Sequence, residues 1–170
     1  MTRPLEMRFA PASVGGDGNV LTGLAAPFGV ETRATGRPER IERGAFAATI
    51  ADGHDILLLV DHSPSRVLAR TRNGSLALEE RSDGLWVTAT LPDTPTAAEV
   101  RGLAAAGTLG GMSIGFAPVE EAIVRGVRVL RRVALAEVSV IASVPAYPTH
   151  AQMRAATPRL ARLRRFMETL

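Results

Sequence analysis

The sequence predicts a β-rich α+β domain whose strands form a closed or nearly closed barrel, with a few short helices. Two observations support this prediction. Many short segments show the apolar and polar alternation of strands, whereas a single mid-chain segment has the pattern of a longer helix. A chain of 170 residues is also long enough to bury a sizeable core as one domain.

Five segments of the first 91 residues are predicted to be regular structure. Apolar and polar residues alternate in the first strand and in a hairpin, whose turn is expected at Asp83-Gly84. A continuous apolar run predicts that the strand before this hairpin is buried on both faces. In chain order the segments are a strand over 5–9, a strand over 19–30, a short helix from about Gly44, the buried strand over 55–62 and the hairpin over 75–91.

The predicted longer helix follows the hairpin directly. Thr94 can cap this helix with Pro95 at the first helical position, or Thr96 and Glu99 can form a capping box. Gly107 is the expected stop, because glycine readily adopts the left-handed conformation that ends many helices.

The segment LGGMSIGFAP comes next and predicts a strand with two different faces. Large apolar residues at positions 112, 114 and 116 point to one face. Gly111, Ser113 and Gly115 point to the other, so Ser113 is expected to stand over open space with nothing beside it. Such a position suits a core strand that another backbone approaches. It equally suits a nucleophile that must meet a peptide.

The rest of the chain is predicted to contain further strands, with a hairpin at Arg125-Gly126, and then a separate tail. Two prolines around Tyr147 end the regular structure. Residues 1–150 are therefore predicted to form the domain. Residues 151–170 are predicted to form a basic amphipathic C-terminal tail.

The composition excludes several kinds of site. There is no cysteine, so disulfides and thiolate metal sites are excluded, and the three histidines show no zinc spacing. All twenty basic residues are arginine, which excludes a serine–lysine catalytic pair. The net charge of +3 argues against a nucleic-acid binder, and no apolar run has the length of a membrane span. We therefore expect a soluble cytosolic protein that uses no metal or cofactor and binds neither nucleic acid nor membrane.

A serine needs a base to act as a nucleophile near neutral pH, and histidine is the usual one. Three histidines compete for this role. His62 ends the buried strand, so the core would hold it while its ring stays open to the surface. His54 lies in a turn-like segment, and His150 lies beyond the prolines. His62 is therefore the preferred candidate.

A third residue must accept a hydrogen bond from the imidazole and orient it. Asp61 adjoins His62, but neighbours on a strand point to opposite faces. Glu137 is the better candidate. The alternate residues from Ala136 to Ala142 form an apolar face, which places Glu137 and Ser139 on the other face, beside the core strand without being buried in it. The candidate catalytic residues that these patterns indicate are Ser113, His62 and Glu137.

Each of these residues also has a purely structural interpretation. A serine between glycines is often only the small residue that a crowded strand needs, and a histidine at a strand end is usually structural. Glu137 can pair with Arg131 or Arg132 instead. The segment around Ser113 also lacks the strand–turn–helix setting of an α/β-hydrolase nucleophile, because its apolar residues continue the strand period.

Five segments carry motifs that occur together, in this order, in one protein family. They are LTGLAAPFGV, IERGAFAATI at the place of a PGAF motif, ILLLVDHSPSRVLART with a histidine motif, the hairpin, helix and serine motif that end in MSIGF, and the closing segment RVALAEVSVIASVPAYPTHA. Over roughly residues 18–150 the chain resembles the prohead, or capsid-maturation, serine proteases of tailed phages. These enzymes are related in fold to the herpesvirus assemblins.

The resemblance implies roles for the three candidate residues. Ser113 is the nucleophile, His62 is the base, and Glu137 occupies the acidic position, where the herpesvirus relatives use a second histidine. The chain departs from the family pattern at three places. Tyr147 stands where asparagine is common, Ser63 stands where aspartate is common, and the run RPERIER replaces the acidic residue often found before the PGAF segment.

The function that the resemblance implies is cleavage of capsid proteins inside an assembling procapsid in the host cytoplasm. The implied partners are the major capsid protein and its scaffolding segment. The resemblance also implies that the chain cleaves itself and that it associates with further copies of itself as a homo-oligomer. The chain can come from a phage, a prophage or a gene transfer agent, since the sequence does not separate these sources. Two alternatives stay open: a catalytically silent capsid-assembly scaffold of the same fold, and an unrelated β-barrel binding module whose partner helix is the tail.

Overall fold

Ten strands and two helices lie in the residues that the computed structural model describes, 6–10, 12–14, 18–33 and 36–141. The helices are α1 (Ala47–Ala51) and α2 (Pro95–Ala105). The strands are β1 (Glu6–Ala10), β2 (Ala12–Val14), β3 (Val20–Pro27), β4 (Glu39–Ile41), β5 (Leu57–Val60), β6 (Ser63–Arg70), β7 (Leu76–Glu80), β8 (Gly84–Thr90), β9 (Gly111–Val124) and β10 (Val127–Ile141).

The strands form two sheets that share one core. The larger sheet has the order β1-β9-β10-β5-β6, with β4 also paired to β10. Its central strand β10 runs antiparallel to β9 and parallel to β4 and β5. The smaller sheet has the order β2-β3-β8-β7 and is antiparallel throughout. Both sheets contribute to the buried core, which includes Leu21, Val87, Phe116 and Val138.

The β-rich architecture with few helices is confirmed, but the closed barrel is not. Among the described strands, the larger sheet has edges at β1 and β6, and the smaller sheet has edges at β2 and β7. Neither sheet therefore closes on itself. Alternating sequence patterns predict the strands but not their closure, because closure depends on the tilt and stagger of all strands together.

The predicted helix ends and the second hairpin are present where the sequence placed them. Helix α2 uses the first of the two predicted caps, since the Thr94 hydroxyl accepts a hydrogen bond from the Ala97 N–H at 3.4 Å and Pro95 occupies the first helical position. Gly107 follows the helix with a φ of 67°. Strands β9 and β10 are joined at Arg125-Gly126, and both residues have positive φ.

Three strands were not predicted, namely β2, β4 and β6. The first two have only three residues each, which is too short to show an alternation. The third, SPSRVLAR, contains a proline, which is unusual inside a sheet.

The turn of the first hairpin differs slightly from the predicted Asp83-Gly84. The β7–β8 turn spans 81–83, so Gly84 already belongs to β8.

The predicted boundary at residue 150 and the predicted tail over 151–170 lie outside the described residues. Within the described ranges, no helix is both long enough and apolar enough to cross a membrane.

Candidate active site

Ser113 lies near the start of β9, between the neighbouring strands β1 and β10. Met112 and Ile114 belong to the core, as predicted. The expected open space beside Ser113 is not observed, since this residue is 0% exposed. Within the described structure its hydroxyl makes no hydrogen bond. A buried polar group without a partner costs about 1–3 kcal/mol, so packing alone gives no reason for a serine here.

Strand β10 supplies the residues that lie beside Ser113. Ser139 is paired directly with Ser113, and Glu137 is paired with Gly115. Directly paired residues of neighbouring strands point to the same face of a sheet, with Cβ atoms about 4.5–5.5 Å apart. The side chains of Ser113, Ser139 and Glu137 therefore share one face of the larger sheet.

A β-bulge changes the pattern that the sequence predicted around Glu137. Leu135 pairs with Phe116 and Glu137 pairs with the next residue of β9, so Ala136 is an extra residue in β10. Ala136 is exposed, although the predicted apolar face included it. Every residue from Glu137 to Ile141 is buried. Glu137 is 8% exposed, which corrects the expectation that it would lie beside the core without being buried.

His62 is held in a two-residue turn between β5 and β6. Val60 pairs with Ser63, so Asp61 and His62 are the central residues of this turn. Their φ angles are 49° and 57°, and a type I′ turn requires positive φ at both positions. The Asp61 N–H donates a hydrogen bond to the Val140 carbonyl at 2.9 Å, which anchors the turn to β10.

Hydrogen bonds connect His62, Glu137 and Ser139. Nδ1 of His62 lies 2.6 Å from Oε1 of Glu137. The Ser139 hydroxyl donates to Oε2 of Glu137 at 2.6 Å and accepts the His62 backbone N–H at 3.2 Å. The His62 side chain is 15% exposed and the Glu137 side chain 10%. A carboxylate at Nδ1 favours the tautomer with its proton on Nδ1, which leaves the Nε2 lone pair to act as a base.

The other candidates for the acid and the base have different surroundings. Asp61 is exposed and forms an ion pair with Arg66 at 3.5 Å. His54 is exposed before β5, at a cleft of about 410 Å³ whose lining includes neither Ser113 nor Glu137. His150 lies outside the described residues.

The structural alternative for Glu137 is not observed. Arg131 forms an ion pair with Glu42 at 3.5 Å, and Arg132 forms one with Glu120 at 3.9 Å. Both arginine side chains are about half exposed, at 46% and 53%. Neither arginine pairs with Glu137, whose carboxylate bonds instead to His62 and Ser139.

Sequence reasoning missed what Ser139 and Gly115 contribute to this site. Strand alternation placed Ser139 on the same face as Glu137, but the pattern carries no signal for its hydrogen bonds. The signal for Gly115 is visible only once the β9–β10 register is known. A Cβ atom at position 115 would lie 3.1 Å from the Glu137 carboxyl carbon and closer still to Oε1.

The arrangement places a carboxylate on Nδ1 of a histidine, which is the pairing that lets a histidine act as a base towards a serine. The carboxylate belongs to β10, the strand beside the one that carries Ser113. Within the described ranges, no group of three or more histidine, aspartate or glutamate residues could hold a metal ion.

Comparisons with known proteins agree with this description of the fold. The family model Peptidase S78, described as "Caudovirus prohead serine protease", matches residues 7–163. Among solved structures, the bacteriophage T4 capsid assembly protease, gp21, is similar with a TM-score of 0.61 at 10% sequence identity. That match covers 83% of this chain and 98% of the T4 chain. The comparison with curated proteins found no match.

Proposed function

Because this chain belongs to the caudovirus prohead serine protease family, we propose that it is a serine endopeptidase in which Ser113, His62 and Glu137 carry the reaction. The observation that supports this proposal best is the hydrogen bond of 2.6 Å between Nδ1 of His62 and Oε1 of Glu137. It is formed by the two residues that the sequence selected as base and acid, on the face of the sheet that also carries Ser113.

The proposed reaction is acyl transfer. Oγ of Ser113 attacks the carbonyl carbon of the scissile peptide bond, and Nε2 of His62 takes the hydroxyl proton. Glu137 holds the imidazole through Nδ1 and stabilises the imidazolium that forms. The imidazolium then returns the proton to the leaving amine, and water releases the acyl group from Ser113 by the same route. This chemistry needs no metal or cofactor.

The proposed substrates are the major capsid protein with its scaffolding segment, and the chain itself. The proposed place of action is the interior of an assembling procapsid in the host cytoplasm, with the chain acting there as a homo-oligomer. The basis for these proposals is the family, whose description names proheads, together with the similar fold of a capsid assembly protease. A phage, a prophage or a gene transfer agent can supply this setting.

One observation favours a second candidate function, a catalytically silent capsid-assembly scaffold of the same fold. Ser113 is 0% exposed, whereas a nucleophile must contact the peptide that it cleaves. The two candidates differ in one respect that can be measured. In the protease the Ser113 hydroxyl reacts with electrophiles, and in the scaffold it does not.

The test is labelling with a fluorophosphonate probe, followed by mass spectrometry of the peptides. We expect the probe on Ser113 in the wild-type chain and no labelling of Ser113→Ala. Coexpression with a major capsid protein that carries its scaffolding segment should then give capsid fragments with the wild type and none with Ser113→Ala. A folded wild-type chain that is not labelled and cuts nothing would contradict the protease and support the scaffold.

A further inference from the structure

We propose that Ser139 is a positioning residue that aligns Glu137 and His62 with the strand carrying the nucleophile. This inference rests on the proposed function of the same site. Ser139 is 0% exposed, and its hydroxyl makes two hydrogen bonds, both to residues of the proposed site. An alanine would fill nearly the same space without burying a polar atom. The value of a serine here therefore lies in those two bonds.

The first bond orients the acid. The last torsion of a glutamate side chain has broad preferences, so a carboxylate rotates easily unless both of its oxygens are held. The Ser139 hydroxyl donates to Oε2 of Glu137 at 2.6 Å, and Oε1 then faces Nδ1 of His62 at 2.6 Å. With Oε2 held, the carboxylate keeps a single orientation towards the imidazole.

The second bond orients the base. His62 has a φ of 57°, a conformation that residues other than glycine rarely adopt. The Ser139 hydroxyl accepts the backbone N–H of His62 at 3.2 Å, so it holds this turn at the residue that bears the imidazole. One hydroxyl thus fixes the backbone of the base and the carboxylate that orients its ring.

The position of Ser139 connects both of these residues to the nucleophile. Ser139 is the direct cross-strand partner of Ser113 in the β9–β10 pair. Any displacement of His62 or Glu137 relative to Ser139 is therefore also a displacement relative to Ser113. Reactions between bound groups are sensitive to such displacements, because a misplacement of about 1 Å can lower a rate about a hundredfold.

The first experiment measures the rate of fluorophosphonate labelling of Ser113 in full-length variants. We expect Ser139→Ala to lower this rate about tenfold to a hundredfold, the range for losing a hydrogen bond to a charged group. Ser139→Cys has a side chain of similar shape but only a weak hydrogen-bond donor, so it should lower the labelling rate nearly as much as alanine does. It serves as a second variant if Ser139→Ala does not fold. Ser139→Thr keeps the hydroxyl and should recover most of the rate.

The matched control is Thr49→Val in α1. The buried Thr49 hydroxyl also bonds to β10, donating to the Val133 carbonyl at 3.0 Å and accepting the Leu135 N–H at 3.2 Å, but neither bond involves a proposed site residue. Thr49→Val should therefore reduce stability while the labelling rate of the folded protein stays near the wild-type value.

A double-mutant cycle separates positioning from a general structural effect. If Ser139 acts through Glu137, adding Ser139→Ala to Glu137→Gln should lower the labelling rate by much less than it does alone. Equal rates for Ser139→Ala and wild type would overturn the positioning role, and full additivity in the cycle would overturn the action of Ser139 through Glu137, while the protease stands. A folded wild-type chain that is neither labelled nor able to cut capsid protein would overturn the proposed function, and this inference with it.

Discussion

Gly115 lies directly opposite Glu137 in the β9–β10 pair, where a Cβ atom at position 115 would overlap the Glu137 carboxylate. The glycine two residues after Ser113 therefore makes room for the carboxylate that contacts His62. A side chain at this position would have to push the carboxylate away from Nδ1 or move the strand. This relationship gives Gly115 a role in the geometry of the Glu137–His62 contact.

Gly115→Ala should therefore damage the proposed site more than the fold. We expect the fluorophosphonate labelling rate of Ser113 to fall at least about tenfold, with a loss of about 1–3 kcal/mol of unfolding free energy from overpacking. The control is Gly102→Ala in α2, where a Cβ atom meets nothing within 4 Å. It should raise stability by up to about 1 kcal/mol without changing the rate. Equal labelling of Gly115→Ala and wild type would contradict this role of the glycine.

Ser113→Ala should abolish capsid processing and labelling without reducing stability. The Ser113 hydroxyl is buried without a hydrogen bond in the described structure, so its removal deletes an unsatisfied polar atom. We expect a Tm equal to or higher than that of the wild type, measured by thermal unfolding, as is common when a functional residue is replaced. A strongly destabilised Ser113→Ala would indicate that the hydroxyl is structural.

Glu137→Gln should lower the rate of peptide cleavage by about 10²–10⁴-fold, because an amide can favour the wrong imidazole tautomer and cannot stabilise the imidazolium. Asp61→Asn should change the rate by no more than about fivefold, since Asp61 is exposed and its ion pair with Arg66 is 3.5 Å long. The rates of both variants are measured by cleavage of capsid protein at saturating and at limiting substrate concentration. The reverse order of effects would make Asp61 the orienting acid.

Arg128→Met should be severely destabilising. The Arg128 side chain is 3% exposed and is bound by Glu6, Glu39 and Glu121. The hydrogen bonds that Arg128 donates, above all those to Glu6, raise the pKa of Arg128 well above its ordinary value. Removing the guanidinium leaves three carboxylates close together, which should cost about 3–5 kcal/mol in denaturant unfolding. The half-exposed Arg131 is the control, and Arg131→Met should cost no more than about 1 kcal/mol.

Asp55 should contribute to stability in a pH-dependent way. The hydrogen bond from Arg70 lowers the pKa of Asp55 below its ordinary value. A folded-state pKa below the unfolded one means that the ion pair stabilises the fold above about pH 3.9 and that this stabilisation is lost as the pH falls through the lowered pKa. The difference in unfolding free energy between wild type and Asp55→Asn should therefore shrink between about pH 6 and about pH 2. A constant difference over this range would contradict the ion pair's contribution.

The elements that could be predicted from the sequence are those with a local cause. The Thr94 cap of α2 and the Arg125-Gly126 turn depend on neighbouring residues, and both are present. The bulge at Ala136 and the parallel pairing of β10 with β4 and β5 depend on residues far apart in the chain. Alternation within one strand carries no information about either. The predicted barrel was not confirmed for the same reason.

The same distinction applies to the candidate site. Residue chemistry and strand alternation selected Ser113, His62 and Glu137, and the structure brings His62 and Glu137 into contact. Their catalytic roles stay predictions. The burial of Ser113 and Glu137 could not be predicted, because it depends on what packs over the face of the sheet. The two hydrogen bonds of Ser139 require the turn at His62 to lie against β10, which no local pattern specifies.

The parallel pairing of β5 with β10 has a consequence for the order of events in folding. The bonds from His62 to Glu137 and to Ser139 join residues 75 and 77 positions apart. Contacts at such separation form only after the entropy of closing a long loop has been overcome, so they arise late and slowly. The ribosome must also release β10 before His62 can contact Glu137. If the chain is the proposed protease, we therefore expect a nascent or incompletely folded chain to be unable to hydrolyse peptides.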